Sequence, residues 1–181
     1  MLPRLSVALA GFFVSAAAAH AAGDIEWRYR AANGAVSLAA NPLTPAQRIA
    51  FYLARGFSAT AIRPYADACG FSFSMQNGGA GTLSTRLADW RAIGMDSRAV
   101  RLRLPAEWDL QWDKAQVPEA ARIAFRWAQF QTENTFEAGD WIMGMATLES
   151  PLQGGFRLIA RYQDDKGQHE VTLNQLFCAG D

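Results

Sequence analysis

Over most of this chain apolar and polar residues alternate with a period of two. In "DIEWRYR" Ile25, Trp27 and Tyr29 alternate with Glu26, Arg28 and Arg30, the pattern of a strand with one buried face. "AVSLAA" is a weaker second strand that ends at Asn41-Pro42. "FSFSMQN" places Phe71, Phe73 and Met75 on one face, "NGGAG" after it is turn material, and "TLSTRLADW" is predicted to pair back as a hairpin. "RAVRLRL" sets Val100, Leu102 and Leu104 against Arg101 and Arg103. "EWDLQWD" sets Trp108, Leu110 and Trp112 against acidic and amide residues, and is read as a further strand. "WIMGMATL", "FRLIARY" and "HEVTLNQLFC" complete the series, with the turn "QDDKGQ" between the last two.

The period changes in one place. "TPAQRIAFYLARG" has Thr44 as N-cap, Pro45 at the first helical position, Gln47 three residues after the cap and Gly56 as the stop. Ile49, Tyr52 and Leu53 then share a face. "SATAIRPYADACG" repeats the scheme from Ser58 to Gly70, with Pro64 expected to kink or shorten the helix. Residues 44–69 therefore form a helical hairpin. "PEAARIAFRWAQFQTENTF" admits two readings. Pro118 and the alanines suggest a helix aligning Ile123, Trp127 and Phe130, whereas the alternation of Ile123, Phe125 and Trp127 suggests a strand. Over residues 118–131 the strand is preferred, because aromatic and β-branched residues fall on one parity and strands surround it. Strands at roughly ten-residue spacing between turn signals indicate a mostly β (α+β) fold. The expected form is an immunoglobulin-like β-sandwich or open barrel with an N-terminal helical hairpin insertion.

The first residues alter this picture only by being excluded from it. Arg4, the apolar run Leu5–Ala19 and the triplet Ala19-His20-Ala21 have the order of a secretory signal peptide over residues 1–21. Residues 22–181 are then one domain, with no second apolar run of membrane length, in a periplasmic or secreted location. That compartment permits a disulfide, and Cys69 and Cys178 are the two cysteines. A Cys69–Cys178 bridge ties the end of the helical hairpin to the end of the last strand. The 17 basic and 17 acidic residues cancel, and losing Arg4 leaves the remainder one unit negative. A near-neutral chain offers nucleic acid no electrostatic attraction.

Candidate chemistry is sparse. Beyond the leader His169 is the only histidine, no G-x-S-x-G elbow accompanies it, and it opens a strand after a turn. No H-E-x-x-H, C-x-x-C, Walker or dinucleotide glycine motif is present. Glu107, Asp109 and Asp113 lie at even spacings, as carboxylates on one face of a strand do. Six tryptophans follow the leader. Most fall on the apolar parity of their strands, and the acid-flanked Trp108 and Trp112, with Glu107 and Asp109, are the expected ligand or partner surface.

"GDWIMGM" raises a metal question. In a strand Trp141, Met143 and Met145 point one way, and thioethers suit Cu(I). Met75 and His169 are the residues that would complete such a site; core filling is the preferred role for both methionines of this strand. The stretch "WIMGMATLESPLQGGFRLIARYQDDKGQHEVTL" resembles the corresponding part of periplasmic PCuAC-type copper chaperones. There a His-x-Met element precedes a G-L-x-x-P-L stretch and a final hairpin. Trp141 stands in place of that histidine, and the upstream His and Met ligands have no counterpart. The expected function is a non-catalytic exported binding or accessory module, without cofactor, that docks on another exported protein or a cell-envelope component. The alternatives are copper binding by Met143, Met145, Met75 and His169, and carbohydrate binding by exposed tryptophan.

Overall fold

Alternate residues Phe71, Phe73 and Met75 are all buried, as a period of two requires. They belong to a sheet of ten strands in a computed structural model that describes residues 25–180. The leader expected over residues 1–21 lies outside those residues. The strands are β1 (Tyr29–Asn33), β2 (Val36–Pro42), β3 (Gly70–Asn77), β4 (Leu83–Arg86), β5 (Arg91–Gly94), β6 (Ala99–Arg103), β7 (Glu133–Phe136), β8 (Trp141–Leu148), β9 (Phe156–Asp164) and β10 (Gly167–Leu176). The helices are α1 (Pro45–Leu53), α2 (Ala59–Asp67), α3 (Pro105–Lys114) and α4 (Glu119–Ala128).

The strands form one antiparallel sheet in the order β1-β2-β3-β8-β6-β5-β9-β4-β7, with β10 on the other side of β9. Strand β9 is long enough to pair with β5 through Phe156–Ile159 and with β4 through Tyr162 and Gln163. The first strand returns against the last, where Asn33 Nδ2 donates to the Glu170 carbonyl at 2.9 Å. Inside this curl lie Phe71, Phe73, Trp90, Phe130 and Phe156, packed mostly edge to face. The Trp90 indole N–H is satisfied by Thr85 Oγ1 at 2.9 Å. "TLSTRLADW" does not pair with β3, because β2 and β8 already occupy both edges of that strand. Instead β4 pairs with β7 and β9, and a short 3-10 turn at Leu87–Asp89 follows.

The hairpin of α1 and α2 is capped as its sequence predicts. Thr44 Oγ1 accepts from the Gln47 N–H, and the Gln47 side chain accepts from the Thr44 N–H. Ser58 Oγ accepts from the Ala61 N–H. Pro64 lies inside α2, which stays short. Cys69, just past α2, is bonded to Cys178, just past β10, with the Cα atoms 5.2 Å apart.

Two segments read as strands are helical. "EWDLQWD" is α3, opened by Pro105 and by the Glu107 carboxylate accepting from the Leu104 N–H at 2.8 Å. Residues 118–131 are mainly α4, in which Ala121 and Phe125, four apart, face inward. The two helix pairs bury a second apolar core of Tyr52, Phe57, Ile62, Tyr65, Trp108, Trp112 and Phe125, which meets the sheet at Met145.

Candidate functional site

The register of β8 resolves the methionine question. Cross-strand neighbours point to the same side of a sheet, and here they form rungs. One runs Ala32, Ser37, Gln76, Trp141; the next runs Arg30, Ala39, Ser74, Met143; a third joins Asn41, Ser72 and Met145. Met75 is paired with Ile142, so it points to the opposite, buried side. His169 lies on β10 opposite Tyr162, stacks on that ring at 5.3 Å and bonds Asp164 through Nε2 at 2.8 Å. The expected set of Met143, Met145, Met75 and His169 is therefore not brought together. The obstacle to the copper reading is parity: an odd offset in register sends Met75 through the sheet.

Met145 has a different task. Its sulfur accepts from the Tyr52 hydroxyl at 3.7 Å, Gln129 Nε2 donates to the same hydroxyl at 2.7 Å, and Tyr65 Oη donates to Gln129 Oε1 at 3.2 Å. This knot is buried between the helical core and β8, and burial pushes both phenols well above the ordinary tyrosine range. They stay protonated and serve as hydrogen-bonding groups, not as bases. Gly144 completes the joint. The Phe130 N–H donates to the Met145 carbonyl at 2.8 Å, and Gln129 pairs in parallel with Met145. A Cβ on Gly144 would strike the backbone of Gln129 and Phe130. Gly144→Ala is accordingly expected to lower stability by about 1–3 kcal/mol, the usual range for overpacking. An unchanged urea midpoint with an unchanged slope would refute this contact.

The expected surface of Trp108, Trp112, Glu107 and Asp109 is likewise redistributed. Trp108 and Trp112 are only 2% and 1% exposed and stack on each other at 5.4 Å. Trp108 donates to Thr147 Oγ1 at 3.1 Å, and the Arg103 guanidinium lies 3.6 Å over its ring. Neither ring is available to a sugar. Glu107 takes a bidentate pair from Arg101 at 2.7 and 2.8 Å, which, with the Leu104 N–H, holds its carboxyl down to about 2. Asp109 takes a bidentate pair from Arg122 at 2.9 and 3.0 Å, with Arg126 beside it, and its carboxyl is also held low. These acids staple α3 to β6 and α4. Ionised and saturated, they have no proton to give as general acids.

The solvent-facing tryptophans are others. Trp127 on α4 is 83% exposed and Trp141 on β8 is 63% exposed, with Met143 at 43% and Ile123 also exposed. The Gln129–Met145 bridge sets the end of α4 beside β8. Trp127 lies two residues before that bridge on one chain segment and Met143 two residues before it on the other. Between Met143, Trp141 and Arg30 the rungs carry small side chains, Ser37, Ala39, Ser72 and Ser74. A helix with apolar residues on two faces, Ala121 and Phe125 on one and Ile123 and Trp127 on the other, is the signal that would have found this surface. It was legible only once the segment was read as helix. A separate cleft of about 790 Å³ lies by the β5–β6 turn, lined by Ile93, Met95, Arg157 and Phe177 among others. Its lining holds no acid to pair with Arg157.

No protein-family model matches the chain, and no curated protein matches it. Among solved structures, the yjhA protein from Bacillus subtilis is similar at 14% identity over 50% of this chain and 53% of that one, with a TM-score of 0.34. The chain thus spans about half the length of that structure. A likeness so slight carries no argument about what this chain does.

Proposed function

We propose that this protein is a non-catalytic, exported binding module that docks on another exported protein through the surface formed by Trp127, Trp141, Met143 and Ile123. The carrying observation is the exposure of Trp127 and Trp141, two large rings held out by a helix and a strand whose other faces are well packed. Tryptophan and methionine are enriched at protein interfaces, and tryptophan dominates their hot spots. The leader pattern and the Cys69–Cys178 bridge favour an exported setting. No helix among the described residues is long and apolar enough to cross a membrane.

The test is comparative capture from envelope extracts. The unaltered protein is expected to retain one dominant partner, and Trp127→Ala with Trp141→Ala to lose it. Both variants should keep their stability within about 0.5 kcal/mol, as exposed substitutions do. Retention of the partner by the double variant, or no partner above background, refutes the proposal. One observation favours a second reading. The rung Ala32, Ser37, Gln76, Trp141 sets an exposed ring in line with the polar side chains of Gln76 and Ser37, the pairing that sugar rings need. Saturable quenching of Trp141 fluorescence by soluble glycans, absent in Trp141→Ala, would select the carbohydrate reading over the protein partner.

A further inference from the structure

Among the described residues Arg48, on α1, is the one charged residue that is buried, at 3% exposed. Two other guanidiniums, Arg101 on β6 and Arg122 on α4, are saturated by acids: Arg101 by Glu107 and Glu149, Arg122 by Asp109 and Asp113. Arg48 has no ion-pair partner among the described residues. Its Nη1 donates to the Tyr65 carbonyl in the last turn of α2 at 3.0 Å, and its Nε is buried with no partner. Burial without an ion pair is costly for a guanidinium and lowers its pKa, an effect that the nearby Tyr65 and Asp67 only partly offset. The fold nonetheless makes room for it, because a Cβ on Gly70 would strike its Nη1 and Cζ.

Arg48 also lines a cleft of about 520 Å³, walled by Pro45, Asp67, Leu152, Gln153 and the Cys69–Cys178 bridge. With Nη1 given to Tyr65 and Nε out of solvent's reach, Nη2 is the guanidinium nitrogen left to meet a ligand. A guanidinium N–H and a carboxylate form a charge-assisted hydrogen bond, stronger than a neutral one. Asp67 lines the same cleft, tied to Arg63 at 2.7 Å. A second negative charge on the ligand would be repelled there, which favours a singly charged carboxylate over phosphate. Pro45, Leu152 and the disulfide give an organic group apolar walls. We propose that this cleft is a binding site for a small organic carboxylate, with Arg48 as its anchor. The site is separate from the tryptophan surface and does not depend on it.

The experiment follows the Arg48 Nε–Hε resonance of the full 15N-labelled protein by NMR, assigned with Arg48→Lys, during titration with benzoate, acetate and inorganic phosphate. The carboxylates are expected to move that resonance saturably and phosphate to move it less. Arg48→Lys, which keeps the charge and loses the planar guanidinium with its Nη2, should weaken carboxylate binding about tenfold or more, as followed by neighbouring backbone amides. A response no larger than that to sodium chloride at equal ionic strength overturns the proposal, as does equal binding by phosphate. The titration of the unaltered protein decides the matter even if Arg48→Lys does not fold.

Discussion

Replacing Cys69 and Cys178 together by alanine is expected to cost about 4–5 kcal/mol of stability. The bridge joins residues 109 apart, and on the chain-entropy model a loop of that length removes about this much freedom from the unfolded chain. Against a total of about 5–15 kcal/mol for an ordinary domain, such a loss leaves the unbridged protein near its threshold. The position of the bridge gives the effect a structural side. Cys69 follows α2, and its carbonyl accepts from the Leu148 N–H at 2.9 Å at the end of β8. Cys178 follows β10, a strand that among the described residues is paired in the ladder with β9 alone. The bond therefore holds an edge strand to the junction between the helical part and the sheet, where fraying would begin. Urea unfolding of the double alanine variant beside the oxidised protein measures the difference. A loss below about 1 kcal/mol would show that the unfolded chain is already compact enough for the bridge to add little.

The second large effect is in the helical core. Trp112 touches Trp108, Phe57 and Phe125 at ring-centre distances of 5.4, 5.4 and 5.7 Å. Trp112→Ala should therefore cost about 3–5 kcal/mol, as removal of a large buried ring does. Trp112→Phe separates shape from polarity. The indole N–H of Trp112 is buried without a partner, so the smaller ring also relieves an unsatisfied donor, and its cost should fall below that of Trp108→Phe. The latter breaks the bond to Thr147. Denaturant midpoints of the four proteins give the order directly. If Trp108→Phe proves the milder change, the assignment of a satisfied donor to Trp108 and an orphaned one to Trp112 is wrong. The contrast with Trp127 is equally informative: there, loss of the ring should affect binding and leave the midpoint in place.

The candidate surface was legible only in part, and the reason is geometrical. Trp108 and Trp112 are four apart, and four is a multiple of the strand period as well as close to one helical turn, so both readings put them on one face. The residue that separates the readings is Leu110, buried in a strand and exposed in a helix; it is exposed. In residues 118–131 the same ambiguity hid Trp127, which shares parity with Phe125 but not its helical face. Met75 was kept from the face of Met143 and Met145 on a different ground, since a one-residue offset in pairing inverts a side chain, and no local pattern records which strand will be the neighbour.

By itself the sequence determined what depends on near neighbours in the chain. The buried parity of β3, the three late strands, the Thr44–Gln47 and Ser58 caps, and the pairing of two lone cysteines all rest on spacings within a few residues or on the absence of choice. The tertiary structure alone decided which aromatic rings found cavities, which strands took the two edges of β3, and which guanidinium was buried without an ion pair. Each of these is set by a partner far along the chain. Gln129 reaches Tyr52 and Tyr65 across more than sixty residues, and Thr147 reaches Trp108 from 39 residues away. Burial is a property of such remote neighbours, so tryptophans alike in sequence context ended as core at residues 108 and 112 and as surface at 127 and 141.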